Sequence, residues 1–141
     1  MTESFCAERL LNEVEPIIDP SRHKSISAIW ERAAIGATNS WSDQKSALRD
    51  WLGIRLGSSD WKPVEQLVEA RNAIAHGLGT LTRRQLRNQE AVRLALADVG
   101  IALNPDNEVI LTDQALQRAV VACRDLISTY DVALQAATNE N

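Results

Sequence analysis

Apolar residues recur at three- and four-residue intervals along almost the whole of this 141-residue chain. That period marks amphipathic α-helices, and no other feature constrains the fold as tightly. Phe5, Leu10, Leu11, Val14, Ile17 and Ile18 outline a first helix, which Asp19-Pro20 stops. A second is predicted over 22–38, with Ile26, Ile29, Trp30, Ala33 and Ala37 along one side. A third is predicted over 42–56 through Leu48, Trp51, Leu52 and Leu56, with Trp41 in the staple position before it. Gly57 to Asp60 breaks the chain, and Asp60 reads as the N-cap of a fourth helix over 61–76. Pro63 fits its first turn, where an amide has no helical acceptor, and Gly77 fits the C′ position that ends it.

Thr82 with Gln85 three residues on is a capping box that opens a fifth helix, ending near Gly100. The alternating pairs Ile101/Leu103 and Val109/Leu111 then flank Asn104-Pro105-Asp106-Asn107, which predicts a short β-hairpin. Thr112 caps a last long helix, with Leu116, Ala119, Val120, Cys123, Leu126, Ile127, Tyr130 and Leu134 as its stripe and a frayed tail over 137–141. The expectation is an all-α helical bundle of five to six helices, with one short β-hairpin insert before the last helix. The length suits one domain, 1–141, around one core.

Composition narrows the classes. The 45% hydrophobic and 24% charged fractions are those of a globular protein, and no apolar run reaches the length of a membrane span. The acidic, amphipathic N-terminus does not read as a signal peptide. Cys6 and Cys123 lie far apart, which suits two core thiols in a reducing compartment, and the expected location is the cytoplasm. A net charge of −4 argues against a surface that coats nucleic acid broadly, yet Arg83, Arg84, Arg87 and Arg93 concentrate positive charge locally. His23 has no Cys or His at ligand spacing, so it reads as a surface residue and no metal is expected. The tryptophans at 30, 41, 51 and 61 lie on or beside apolar faces and are assigned to packing.

The chemistry concentrates in ARNAIAHG, residues 70–77. On a helical wheel Val64, Leu67, Val68, Ile74 and Ala75 share a side, with Arg71 in its middle. Asn72 and His76 are four apart, and therefore neighbours on an adjacent flank. Arg and His in a last turn can simply complement the helix dipole. In a cleft that admits RNA the same residues have catalytic roles. His76 would be the general base for a 2′-hydroxyl, Arg71 would stabilise charge on the phosphoryl group, and Asn72 would orient the histidine or hold a phosphate oxygen.

Arg71-Asn72-Ala73-Ile74-Ala75-His76 resembles the RNxxxH motif of HEPN domains (higher eukaryotes and prokaryotes nucleotide-binding), and most resembles their ribonuclease-LSP-like branch. The resemblance implies a helical homodimer in which two motif copies face each other across a composite cleft. It implies a metal-independent endoribonuclease with no cofactor, in a bacterial defence or toxin–antitoxin setting, restrained by an antitoxin, a sensor or a larger complex. Arg71, His76 and Asn72 would carry the chemistry, and Arg83, Arg84 and Arg87 are the candidates for RNA backbone contacts. Gly77, Leu78 and Gly79 follow the histidine where toxins paired with a nucleotidyltransferase often carry a tyrosine, which sets this chain apart from that pair. Two other readings stand beside this one. One is a catalytically silent dimerisation or partner-binding scaffold. The other is a winged-helix DNA-binding regulator built on the helix over 82–99 and the hairpin, against which Glu90, Asp98 and the acidic balance count.

Overall fold

The computed structural model describes residues 2–139, and among them the chain is helical apart from one small hairpin. The elements are α1 (Thr2–Ile18), a 3-10 turn (Pro20–Arg22), α2 (Lys24–Ala37), α3 (Trp41–Leu52), α4 (Ser58–Gly77), α5 (Arg83–Leu86), α6 (Gln89–Asp98), β1 (Ala102–Leu103), β2 (Val109–Ile110) and α7 (Asp113–Asn139). No helix among the described residues is long and apolar enough to cross a membrane. The chain forms two compact units, residues 1–57 with 127–141, and residues 58–126.

The first unit holds α1, α2, α3 and the second part of α7. Its buried side chains include Cys6, Leu10, Val14, Trp30, Trp41, Leu48, Tyr130 and Leu134. Trp30 and Trp51 pack with ring centroids 5.6 Å apart, so these indoles do serve packing. Arg9 donates to Asp131 at 2.8 Å and to Glu13 one turn along α1. Asp19 and Pro20 end α1 as expected, and His23 is the exposed N-cap of α2, accepting from the Ser25 amide through Nδ1. Two expectations for α3 change. Ser40 is the N-cap, accepting from the Asp43 amide, so Trp41 is the first helical residue and is buried. The helix stops at Leu52 rather than reaching 56, because Gly53 takes the left-handed conformation at φ 69°.

The second unit holds α4, α5, α6, the hairpin and the first part of α7. Its core is Ala70, Ala73, Leu81, Val92, Leu96, Val99, Ile101 and Ala115, with Leu67, Leu103 and Val109 packed at the margin. α4 begins three residues earlier than expected, at Ser58, so Asp60 lies within its first turn instead of capping it. The predicted fifth helix is two helices. The Thr82–Gln85 capping box forms in full, but the chain breaks at Arg87 and Asn88, where Asn88 leaves helical geometry at φ −127°, ψ 42°. The hairpin has the expected turn, pairing Ala102 with Ile110 and Leu103 with Val109. Thr112 caps α7, its hydroxyl accepting from the Ala115 amide. Leu116 and Val120, expected on the buried stripe, are exposed; Leu126, Tyr130 and Leu134 are buried as expected, and Ala115, outside that stripe, is buried too. The backbone of α7 stays helical through Asn139, and the final two residues of the predicted tail lie outside the described residues. Cys6 is buried and Cys123 half-buried, and neither is in a disulfide.

Candidate functional site

α4 packs on α6 through alanines. Its buried residues are Trp61, Val64, Gln66, Ala70 and Ala73. Arg71 is therefore not on a buried stripe as the wheel suggested; it is exposed, as are Ile74 and Ala75. A wheel weighted by large apolar side chains points the wrong way here, because Ala70 and Ala73 let Val92 and Leu96 approach closely. An exposed guanidinium needs no buried counter-charge, and Arg71 forms no ion pair among the described residues.

Asn72 and His76 nonetheless share a flank, and Arg71 reaches them. Its Nη1 lies 3.3 Å from Asn72 Oδ1 and 3.2 Å from His76 Nε2. Guanidinium nitrogens only donate, so His76 Nε2 must accept. A neutral ring with its proton on Nδ1 presents its Nε2 lone pair to this donor.

This cluster edges a groove of about 710 Å³. α4 lines one wall with Val68, Glu69, Asn72 and His76, a single stripe at helical spacing. Thr82, Arg84, Gln85, Asn88 and Val92 line the other. Of the three arginines expected to contact RNA, Arg84 lines the groove, whereas Arg83 and Arg87 do not. All three are exposed and form no ion pair among the described residues, so their charge is available to an anion.

Sequence reasoning missed Glu69 and assigned Gln85 only a capping role. Gln85 is 5% exposed. Its Oε1 accepts from the Thr82 amide and hydroxyl, both at 3.0 Å. Its Nε2 donates to the Glu69 carbonyl at 2.8 Å and to Glu69 Oε2 at 2.7 Å. One buried amide thus joins the two walls and fixes a carboxylate in the groove. The available signal was spacing, since Glu69 is three residues before Asn72 and seven before His76.

The exit from α4 is also tied down. Gly77 is the last helical residue, and the left-handed position expected of it belongs to Leu78, at φ 52°. The Gly79 amide turns back to the Ala73 carbonyl at 3.1 Å. Residues 79–81 then run beside the hairpin, with Val109 donating to the Gly79 carbonyl at 2.8 Å and Leu81 donating to the Asn107 carbonyl at 3.0 Å. At the other end of α6, Asp98 accepts from Lys62 at 3.1 Å and from Gln66 at 2.8 Å. These bonds, Lys62 foremost, hold its carboxyl below the usual range at a helix C-terminus that otherwise disfavours negative charge. No family model, curated protein or solved structure matches the chain.

Proposed function

We propose that this chain is a metal-independent endoribonuclease of HEPN type, working in the cytoplasm of a cell that restrains it. The observation that carries the reading is the 3.2 Å approach of Arg71 to Nε2 of His76 at the edge of a groove that also contains Arg84. A phosphodiester entering there draws the guanidinium onto its non-bridging oxygens, as a paired donor. His76 Nε2 is then free to take the proton of the adjacent 2′-hydroxyl. The 2′-oxygen attacks phosphorus, the bond to the 5′-oxygen breaks, and that oxygen leaves with a proton taken from water. The products are a 2′,3′-cyclic phosphate and a 5′-hydroxyl. Arg71 stabilises the charge that builds on phosphorus, and Asn72 holds Arg71 against the ring. DNA lacks the nucleophile and is left intact.

In this reading Arg84 contacts the strand inside the groove, and Arg83 and Arg87 steer it from outside. A second copy of the chain, with its own motif facing the first, completes the cleft. An antitoxin, sensor or larger defence complex holds the activity in check. The exposed Leu116, Val120 and Val121 on α7 favour one alternative, a silent scaffold that binds a partner and cleaves nothing. The break at Arg87 and Asn88 counts against a winged-helix regulator, which needs one continuous recognition helix there.

The test is a paired cleavage assay in EDTA with wild type and His76→Ala on mixed RNAs, followed by analysis of the new 3′ ends. Cleavage by wild type alone, leaving cyclic phosphates, is the expected result. Cleavage by both proteins places the chemistry elsewhere. Cleavage by neither, with a stable partner complex, supports the scaffold.

A further inference from the structure

Glu69 is a carboxylate in the groove that the cleavage steps above do not use. Its position is built rather than incidental. Buried Gln85 spends both hydrogens of its Nε2 on the Glu69 carbonyl and Oε2, and is itself held by Thr82. Oε1 of Glu69 has no hydrogen-bond partner among the described residues, and Oε2 keeps a second lone pair. Glu69 and His76 are seven residues apart on one stripe, about 10 Å along the helix axis. That is the span from a phosphate to the far edge of the base it carries. Val68 and Val92 line the groove with apolar surface that suits ring faces, and Arg84 brings unpaired donors.

These features specify a ligand. A carboxylate asks for two adjacent donors on one edge, an arginine asks for acceptors on the other, and the apolar walls ask for a flat ring. Guanine alone among the four bases puts two donors, N1–H and N2–H, side by side on its pairing edge, and it offers O6 and N7 to arginine. Adenine and cytosine set a ring acceptor beside their amino group, which a carboxylate repels. Uracil flanks its single N3–H with two carbonyls. Resting on the ribonuclease reading for the position of the phosphate, we propose that this groove is a guanine subsite. Glu69 accepts from N1 and N2, Arg84 donates to O6 and N7, and the strand is cut beside a guanosine.

The test is equilibrium binding of four short 2′-O-methyl oligoribonucleotides, identical except for one base and unable to be cleaved, to the full chain. The guanine oligomer is expected to bind on the order of tenfold more tightly than the others, and Glu69→Gln to erase the difference. Arg84→Ala, at an exposed position, is the second variant and should reduce the preference in a folded protein even where Glu69→Gln disturbs the Gln85 contact. Equal binding of all four bases, or a guanine preference untouched by both variants, overturns the subsite. Cleavage assays on the unmodified RNAs separate the two ideas. His76-dependent cleavage without guanine preference leaves the ribonuclease and removes the subsite. A Glu69-dependent guanine preference without cleavage leaves the subsite and removes the ribonuclease.

Discussion

Arg71 Nη1 lies 3.2 Å from Nε2 of His76, a contact that suits a ring with its proton on the other nitrogen. The contact exists only while the ring is neutral, because an imidazolium has no lone pair to offer. Arg71→Ala should therefore release the tautomer. Nitrogen NMR of the neutral His76 ring is expected to show the Nδ1–H form in wild type and a shift toward the Nε2–H form in the variant. An unchanged ring spectrum would remove Arg71 from any role in setting the tautomer of His76. The measurement needs no RNA, so it stands apart from the cleavage assay.

Gln85→Leu keeps the volume of a buried side chain and deletes its four side-chain bonds to Thr82 and Glu69. The Thr82 amide loses its partner, and the Glu69 carboxylate loses its tether. The expected loss is about 2 kcal/mol of unfolding free energy, read from urea denaturation with an unchanged slope. A loss confined to a few tenths would mean that water replaces the amide without cost.

Leu78 occupies a left-handed position with its side chain 95% exposed. The strain of that conformation is about 1 kcal/mol for a residue with a Cβ, and no packing offsets it here. Leu78→Gly should stabilise the protein by roughly 0.5 kcal/mol after the added freedom of the unfolded glycine is counted. Leu78→Ala keeps the Cβ and should change little. A thermal midpoint for each variant decides the matter.

The single tyrosine of the chain makes an alkaline test clean. Burial, with a smaller contribution from Cys6, pushes the Tyr130 phenol above its ordinary range. The folded state thus keeps a proton that the unfolded state gives up. The stabilisation is complete below the unfolded value of about 10 and declines as pH rises past it, by up to about 1.4 kcal/mol per pH unit. Wild type should lose stability above that point more steeply than Tyr130→Phe. Phenolate absorbance should rise together with unfolding, and a titration that precedes unfolding would show that the ring is open to solvent.

Local chemistry was the legible part of this sequence. A capping box, a proline turn and a threonine cap act through neighbours a few residues apart, and Thr82 with Gln85, the 104–107 turn and Thr112 all formed where side-chain types placed them. What escaped depended on contacts distant in sequence. Nothing near Arg87 and Asn88 resembles a breaker, and the helix parts there without Gly or Pro. Alanines at 70 and 73 carry the α4–α6 contact, so apolar bulk alone misplaced Arg71. Glycines on both sides of Leu78 hid the residue that takes the left-handed turn. For the site, the spacing of Arg71, Asn72 and His76 was enough to bring those three together. Glu69 needed Gln85, sixteen residues away, to become part of the same groove.

The backbone bonds from Gly79 and Leu81 reach Val109 and Asn107, so the end of α4 is fastened by chain made later. During translation His76 emerges well before the segment that clasps its exit. Until residues 107–109 have emerged as well, the exit of α4 is without these two bonds, so the order of synthesis separates the forming of this helix from the fastening of its end.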